Sequence, residues 1–419
     1  MSFRNVSPTL FIGLRFLTDH RRAMILSGLG ITLGVAFFIA AQAQTQGFEK
    51  FFINTSLGTS GSIVISDRFR EGLTQSLQNE ADLVEISGGQ SRKYFPGIID
   101  AYRIIRVLDT FPNVVAAAPV IEDKAILRTG IKNEAVSVYG IDLNLHLKTT
   151  DLASQIQRGS LDDFRNDPSG VLIGSALAEK LEIQPGSNLF LYGPDMRPRR
   201  FRVAAYYQTG INAIDERRIY LHRRAAQNVL QFKHSASLIL VRLRDPSKAV
   251  EEALTLERLL SHRARAWQQR EQGNLTIFRA LRVSAAVTVS TIILLSGFGI
   301  FNVLSLSVME KLKEIAILRS MGYTRRDISR IFLWQGAGIA AIGISAGCIL
   351  GALLTDFISR IPIKLRGVIR SDYFVVHWSG EHYLYAACLA AIAVFIAAWA
   401  PARRAAALDP IQILRGSGQ

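Results

Sequence analysis

Four stretches of this chain carry no charged residue: Ala23–Ala41, Val283–Met309, Ile331–Thr355 and Tyr383–Ala402. Nothing else in the sequence restricts the fold as strongly. A helix rises 1.5 Å per residue, so about 20 residues cross the roughly 30 Å hydrocarbon core of a bilayer. Helices buried in a soluble core are rarely that long without one charge. Four membrane-spanning α-helices are therefore expected, at 23–43, 281–309, 331–355 and 383–402. The first run ends in Ala41-Gln42-Ala43, which resembles a signal-peptidase site. Its length, and the 22 residues ahead of it, favour an uncleaved anchor over a removed leader.

Basic residues set the orientation, because cytoplasmic segments collect Lys and Arg. With four spans, both termini and the 310–330 loop share one side. That side carries Arg4, Arg15, Arg21 and Arg22, six basic residues from Lys311 to Arg330, and Arg403, Arg404 and Arg415. The short opposite loop, 356–382, holds four basic residues against three acidic. Segments 1–22, 310–330 and 403–419 are thus expected in the cytoplasm, with the chain in the cell's inner (plasma) membrane and 44–280 outside. The net charge of +15 suggests nucleic acid at first sight. Yet 44–280 holds 31 basic and 26 acidic residues, so most of the excess flanks the spans and argues against a nucleic-acid partner.

The outer segment reads as an α+β domain inserted between the first two spans. "GSIVIS" (61–66) has strand character, and "IIDAYRIIRVLDTF" (98–111) has helical periodicity. "VVAAAPVI", "AILRTG" and "EAVSVYGID" read as successive strands, "SALAEKLEI" (175–183) as a helix, and "SLILVRL" as a strand. "NLFLYGPDMRPRRFRVAAYYQ" reads as a hairpin turning at Gly193-Pro194-Asp195. "DPSKAVEEALTLERLL" reads as a helix capped by Asp245 with Pro246 at its first position. The polar stretch Asp151–Asp167 is expected to join two subdomains. Two basic clusters, "RPRRFR" (197–202) and "ERRIYLHRR" (216–224), suit either an anionic surface or an ordinary charged hairpin and helix face.

No catalytic constellation is visible. The seven histidines are scattered, none with metalloprotease spacing, and neither C-x-x-C nor G-x-S-x-G occurs. Cys348 and Cys388 both lie within spans, so the outer domain must fold without disulfides. There is no Gly-Lys dipeptide, hence no Walker P-loop to bind ATP. No span contains Asp, Glu, Lys or Arg, which disfavours a proton relay or ion path. Small residues recur at helix-packing spacing: Gly343, Gly347 and Gly351 in the third span, Gly30 and Gly34 in the first. They suit either packing within the chain or a dimer seam.

The 310–330 loop, "EKLKEIAILRSMGYTRRDISR", is helical and imperfectly amphipathic. Val308, Leu312, Ile315 and Ala316 share one face, while Glu310, Lys311, Lys313 and Glu314 spread over the other, with Glu310 and Lys313 close enough to pair. Ile317 projects among the charges and Arg319 lies near the apolar stripe. Gly322 offers a C-terminal cap, and Thr324 with Asp327 restarts the helix. These residues fit either a docking helix with two working faces or a simple linker.

Several stretches together resemble the four-span permeases of ABC systems of the MacB/FtsX type, and among them the lipoprotein-releasing permeases LolC and LolE. They are "LFIGLRFLTDHRRA", "QGFEKFFINTSLG", "RAWQQREQGNLTIFRALR", the long segment from Val308 to Leu354, and "PARRAAALDPIQILRG". In such permeases the segment matching Glu310–Gly322 is a coupling helix seated on a cytoplasmic ATPase subunit. The resemblance implies that Glu310, Lys313, Glu314, Ala316, Ile317, Leu318, Arg319 and Gly322 contact an ATPase dimer, which binds the ATP and Mg this chain does not. It implies a second permease copy or paralogue, and contact with membrane lipid. It also implies a non-catalytic role in which ATP-driven motion reaches the outer domain and extracts or exports a lipoprotein or amphiphile, handed to a periplasmic carrier or adaptor. One departure stands out: the carrier-gripping hairpin of LolC-like chains is longer than "LYGPDMRPRRFRV". An FtsX-like signalling subunit acting on an envelope enzyme is the alternative.

Overall fold

A computed structural model of the chain describes residues 8–19, 21–67, 97–130, 132–260, 262–362 and 373–407. Arg4, the whole ending "DPIQILRG" with Arg415, and residues 363–372 of the short loop lie outside these. Two helices come first, α1 (Pro8–Asp19) and α2 (Arg21–Ser60). Then follow β1 (Ile63–Ser66), α3 (Ala101–Leu108), β2 (Val114–Thr129), β3 (Lys132–Ile141), α4 (Leu143–Thr149) and α5 (Leu152–Gln155). Next are β4 (Ile156–Gly159), α6 (Leu161–Asn166), β5 (Gly170–Gly174), α7 (Ser175–Leu181), β6 (Asn188–Tyr192) and β7 (Pro198–Tyr207). The sheet is completed through α8 (Asn212–Asp215), β8 (Arg218–His222), α9 (Arg223–Leu230), β9 (Leu238–Leu243), α10 (Ala249–Leu260), β10 (Arg263–Ala266) and α11 (Trp267–Arg270). Four helices end the chain: α12 (Gln272–Glu310), α13 (Leu312–Ser320), α14 (Arg325–Arg360) and α15 (Gly380–Ala407).

The chain divides into a helical unit (1–49, 277–362, 373–419) and an α/β unit (50–276, 363–372). Among the described residues of the α/β unit ten strands share one sheet, ordered β10-β1-β9-β2-β3-β8-β5-β7-β4. β6 bridges β2 and β7. The pairings β2–β3–β8–β5–β7–β6–β2 therefore return to their start, and six strands close into a barrel. Closure removes their open edges. Leu127, Val138, Ile173, Leu191, Val203 and Ile219 fill its core, together with Leu177 of α7 and Val229 of α9. The opposite faces of β3, β5, β7 and β8 present Tyr139, Leu172, Tyr207 and Tyr220 to Leu143, Leu152 and Phe164 of α4, α5 and α6. Strands β1, β9 and β10 bury Ile63, Val241 and Ala264 against Ile105 and Leu108 of α3 and Leu256 of α10.

Three sequence expectations change here. "VVAAAPVI" and "AILRTG" are one 16-residue strand, because the β3 ladder runs unbroken through Glu122, Asp123 and Lys124. Residues 151–167 do not join two subdomains: β4 is an edge strand of the same sheet, and Leu152 and Phe164 are core residues. "ERRIYLHRR" is not one charged helix face: most of it is the buried strand β8, paired parallel to β3, and only Arg223 and Arg224 lie on a helix, α9. Elsewhere the local chemistry is as read. Asp245 Oδ1 accepts from Ser247 N at 3.0 Å, although the first turn, Pro246–Lys248, is a 3₁₀ turn before α10.

Within the helical unit, helices containing all four uncharged runs are long and apolar enough to cross a membrane. Their packing is inverted relative to a soluble core. Ala386, Ala390, Ala393, Gly343 and Gly347 lie inside, while Leu295, Phe298, Ile349, Leu353, Phe395 and Ile396 face outward. Small inward residues and large outward apolar ones suit helices packed in lipid, where close backbone approach replaces a hydrophobic drive.

Candidate functional site

The short helix α13 is cut out of the chain by its termini. Helix α12 stops at Glu310, and Lys311 leaves helical geometry before Leu312 begins the next turn. At the other end Gly322 adopts φ +99°, a conformation that penalises any side chain. That allows Tyr323 N–H to reach Leu318 O and Gly322 N–H to reach Arg319 O, both at 3.2 Å. Two of the carbonyls left over at the helix end are thereby satisfied. Thr324 and Asp327 then cap α14 reciprocally: Asp327 N donates to Thr324 Oγ1 at 3.3 Å, and Thr324 N to Asp327 Oδ2 at 3.0 Å. Both caps fall where the sequence put them.

Inward, Ile315 is buried in a cluster with Val308, Ile328, Ile331 and Ala402, and Ala316 beside it is buried too. Leu318, Tyr323 and Ile12 of α1 pack against its rim. Outward, Glu310, Lys313, Glu314 and Gly322 are exposed, Ile317 is 52% exposed and Met321 is 72% exposed. Arg319 is half-buried. Ala316 thus faces the bundle and leaves the outward set, because it stands next to Ile315 on the inner stripe. The ion pair in this helix joins Lys311 Nζ to Glu314 Oε1 at 2.9 Å rather than Glu310 to Lys313, since the break at Lys311 puts Glu310 on α12. Met321 was not singled out from the sequence. It is one turn beyond Ile317 on the same stripe, and that spacing is the signal that finds it.

The glycines mark seams within the unit. A Cβ on Gly343, Gly347 or Gly351 would stand 3.0, 2.7 or 3.0 Å from Ile31, Val35 or Ile39 of α2. Thr32 Oγ1 donates to Gly28 O at 2.9 Å and to Gly343 O at 3.3 Å across this contact. Gly30 and Gly34 face Ser296 and Ile293 of α12 in the same manner. An ion pair between Glu49 and Arg282 also ties α2 to α12. Arg403 lies 4.2 Å over the Trp399 ring near the end of α15, an aromatic–basic pairing common at bilayer interfaces.

In the α/β unit the two basic clusters do not converge. Arg223 and Arg224 line a cavity of about 640 Å³ with Arg165, whereas Arg202 lines a different one with Asp167. The β6–β7 turn is short, as read. Arg199 binds Asp195 through two bonds of 2.9 and 2.7 Å, and Gln231 adds a third at 3.0 Å. The Arg199 guanidinium holds the Asp195 carboxyl well below the usual carboxylate range. Arg218 lies 3.9 Å over the Tyr139 ring and donates to its hydroxyl at 3.0 Å. Among the described residues, no three His, Cys, Asp or Glu side chains gather where they could hold a metal ion.

Four long apolar helices joined to a mixed sheet unit define a polytopic membrane protein with a large non-spanning domain. Residues 24–256 match the family described as the MacB-like periplasmic core domain, and residues 286–410 match the FtsX-like permease C-terminal family. The first match covers more than half of the chain, and the chain belongs to the MacB-like periplasmic core domain family, with an FtsX-like permease portion following. It is 28% identical to the lipoprotein-releasing system transmembrane protein LolC of Xylella fastidiosa (strain Temecula1), over 96% of this chain and 98% of that one. It is 26% identical to LolE of Haemophilus influenzae, over 93% of each chain. A third relative is the macrolide export ATP-binding/permease protein MacB of Nitrobacter winogradskyi, 26% identical over 94% of this chain and 58% of that one.

Proposed function

We propose that the chain is the permease subunit of an ABC transporter in which α13 receives the motion of a separate ATPase subunit. The observation that carries this reading is the construction of α13. Its inner face is locked into the helix ends by Ile315 and Ala316, while its outer face offers acidic residues beside exposed Ile317 and Met321. Exposed apolar side chains on such a short, firmly seated helix suit a protein groove. The comparisons support a separate ATPase: LolC is matched along 98% of its length, whereas the protein named for both ATP binding and permease is matched along 58%. ATP and Mg are then held by an ATPase dimer in the cytoplasm, with two permease chains, identical or paralogous, above it. The α/β domain lies between the first two spans on the periplasmic side, both termini are cytoplasmic, and the membrane is the inner one.

The charge-free spans argue against passage of an ion or charged solute through the bundle. The substrate is instead a lipoprotein or similar amphiphile acted on at the outer leaflet, with release to a periplasmic carrier or adaptor. The test is co-purification of a P-loop ATPase with the full chain. Ile317→Asp with Met321→Asp removes most of the bound ATPase, and a Gly299→Ala control leaves it bound. A complex that survives the double substitution sinks the docking role of α13.

A further inference from the structure

Two apolar clusters share the helical unit. One, containing Leu304, Ile339, Ala340, Val394 and Ala398, packs α12, α14 and α15 along their middles. The other, containing Val308, Ile315, Ile331, Phe332 and Ala402, gathers α13 and the adjoining ends of the same helices. Where one cluster gives way to the other, all three long helices break the apolar pattern. Ser307 lies between Leu304 and Val308, Gln335 between Phe332 and Ile339, and Pro401 between Ala398 and Ala402, and all three are buried.

Gln335 is fully buried, yet neither Oε1 nor Nε2 has a hydrogen-bond partner among the described residues. Ser307 Oγ is in the same condition. Pro401 has no N–H, so the carbonyl of Ala397 loses its helical donor. The helices approach closely at this level: a Cβ on Gly336 would stand 2.8 Å from Ala398 Cβ, and one on Gly13 of α1 would stand 2.8 Å from Ile331 O. An unmet primary amide among apolar helices is costly, and one helix arrangement alone gives no reason to keep it. A second arrangement does, if it brings a donor or acceptor within reach. The hydroxyl of Ser307 and the released carbonyl of Ala397 are groups of that kind.

We propose that Ser307, Gln335 and Pro401 form a hinge layer across the bundle. At this layer the cluster carrying α13 slips against the mid-span cluster, and the Gln335 amide gains the partner it lacks here. The proposal rests on the permease reading only for what drives the slip. It is tested on the full chain in detergent with Gln335→Met, which keeps the side-chain length without the amide, and with Pro401→Ala, which restores the α15 bond. Both raise the melting temperature by a few degrees and slow deuterium uptake at backbone amides of 304–308 and 331–336. Both also lower ATP-driven turnover several-fold while the ATPase still co-purifies. A lower or unchanged melting temperature for Gln335→Met, or unchanged uptake, overturns the hinge by showing the amide to be an ordinary structural group. Melting and exchange are read without nucleotide, so they decide the hinge even if no ATPase binds.

Discussion

His146 lies on α4, fully buried, with its ring 5.5 Å from that of Tyr220 and no hydrogen-bond partner at either nitrogen among the described residues. Burial, and secondarily the nearby Arg218 cation, lowers its pKa from 6.5 to about 3. Between those values the unfolded chain binds a proton that the folded chain does not. The stability His146 permits is therefore complete above pH 6.5 and is lost as the pH falls toward 3, by ~1.4 kcal/mol for each pH unit once below about 6. Chemical denaturation at pH 7.5 and 4.5 measures this loss. His146→Leu flattens the acid slope, and an equally steep slope in the variant would rule out His146 as its source. The sequence offered no hint of this residue, which was one of seven scattered histidines. Its character comes from what lies over it, namely Tyr220 from β8 and the α4 turn.

At the scale of elements, termini were legible and faces only partly so. The caps at Gly322, Thr324 and Asp245 depend on side chains and φ preferences within a few residues, so local chemistry suffices. The glycine stripe was visible too, but not what it meets. Packed against α2, Gly347 leaves no space for a methyl group: its Cβ would stand 2.7 Å from Val35 Cβ and 2.9 Å from Thr32 O. Gly299, also within an apolar run, has nothing within 4 Å. Gly347→Ala is expected to destabilise the helical unit by about 1–3 kcal/mol through overpacking, while Gly299→Ala is neutral or slightly stabilising. Thermal melting of the two variants checks this, and equal effects would mean that the α2–α14 seam is not tight. The length of β2 escaped sequence reading for the opposite reason: its charged middle is held extended by β3, a partner that no local pattern announces.

For the whole molecule, β1 pairs antiparallel with β10, placing Ile63 opposite Ala266, so the sheet starts and finishes at neighbouring strands. With its own buried clusters and a closed barrel, the segment 61–270 is expected to fold alone as a soluble, disulfide-free protein with one cooperative unfolding transition. Aggregation, or a transition without cooperativity, would show that it depends on the helices. Membrane class and the four candidate spans were readable from the chain. They follow from charge segregation, which requires no knowledge of contacts. The closure of the barrel through β6, the merging of 151–167 into the sheet and the unmet amide of Gln335 were not. Each depends on which distant residues become neighbours, and a pairing between strands or helices far apart in sequence leaves almost no trace in either partner alone.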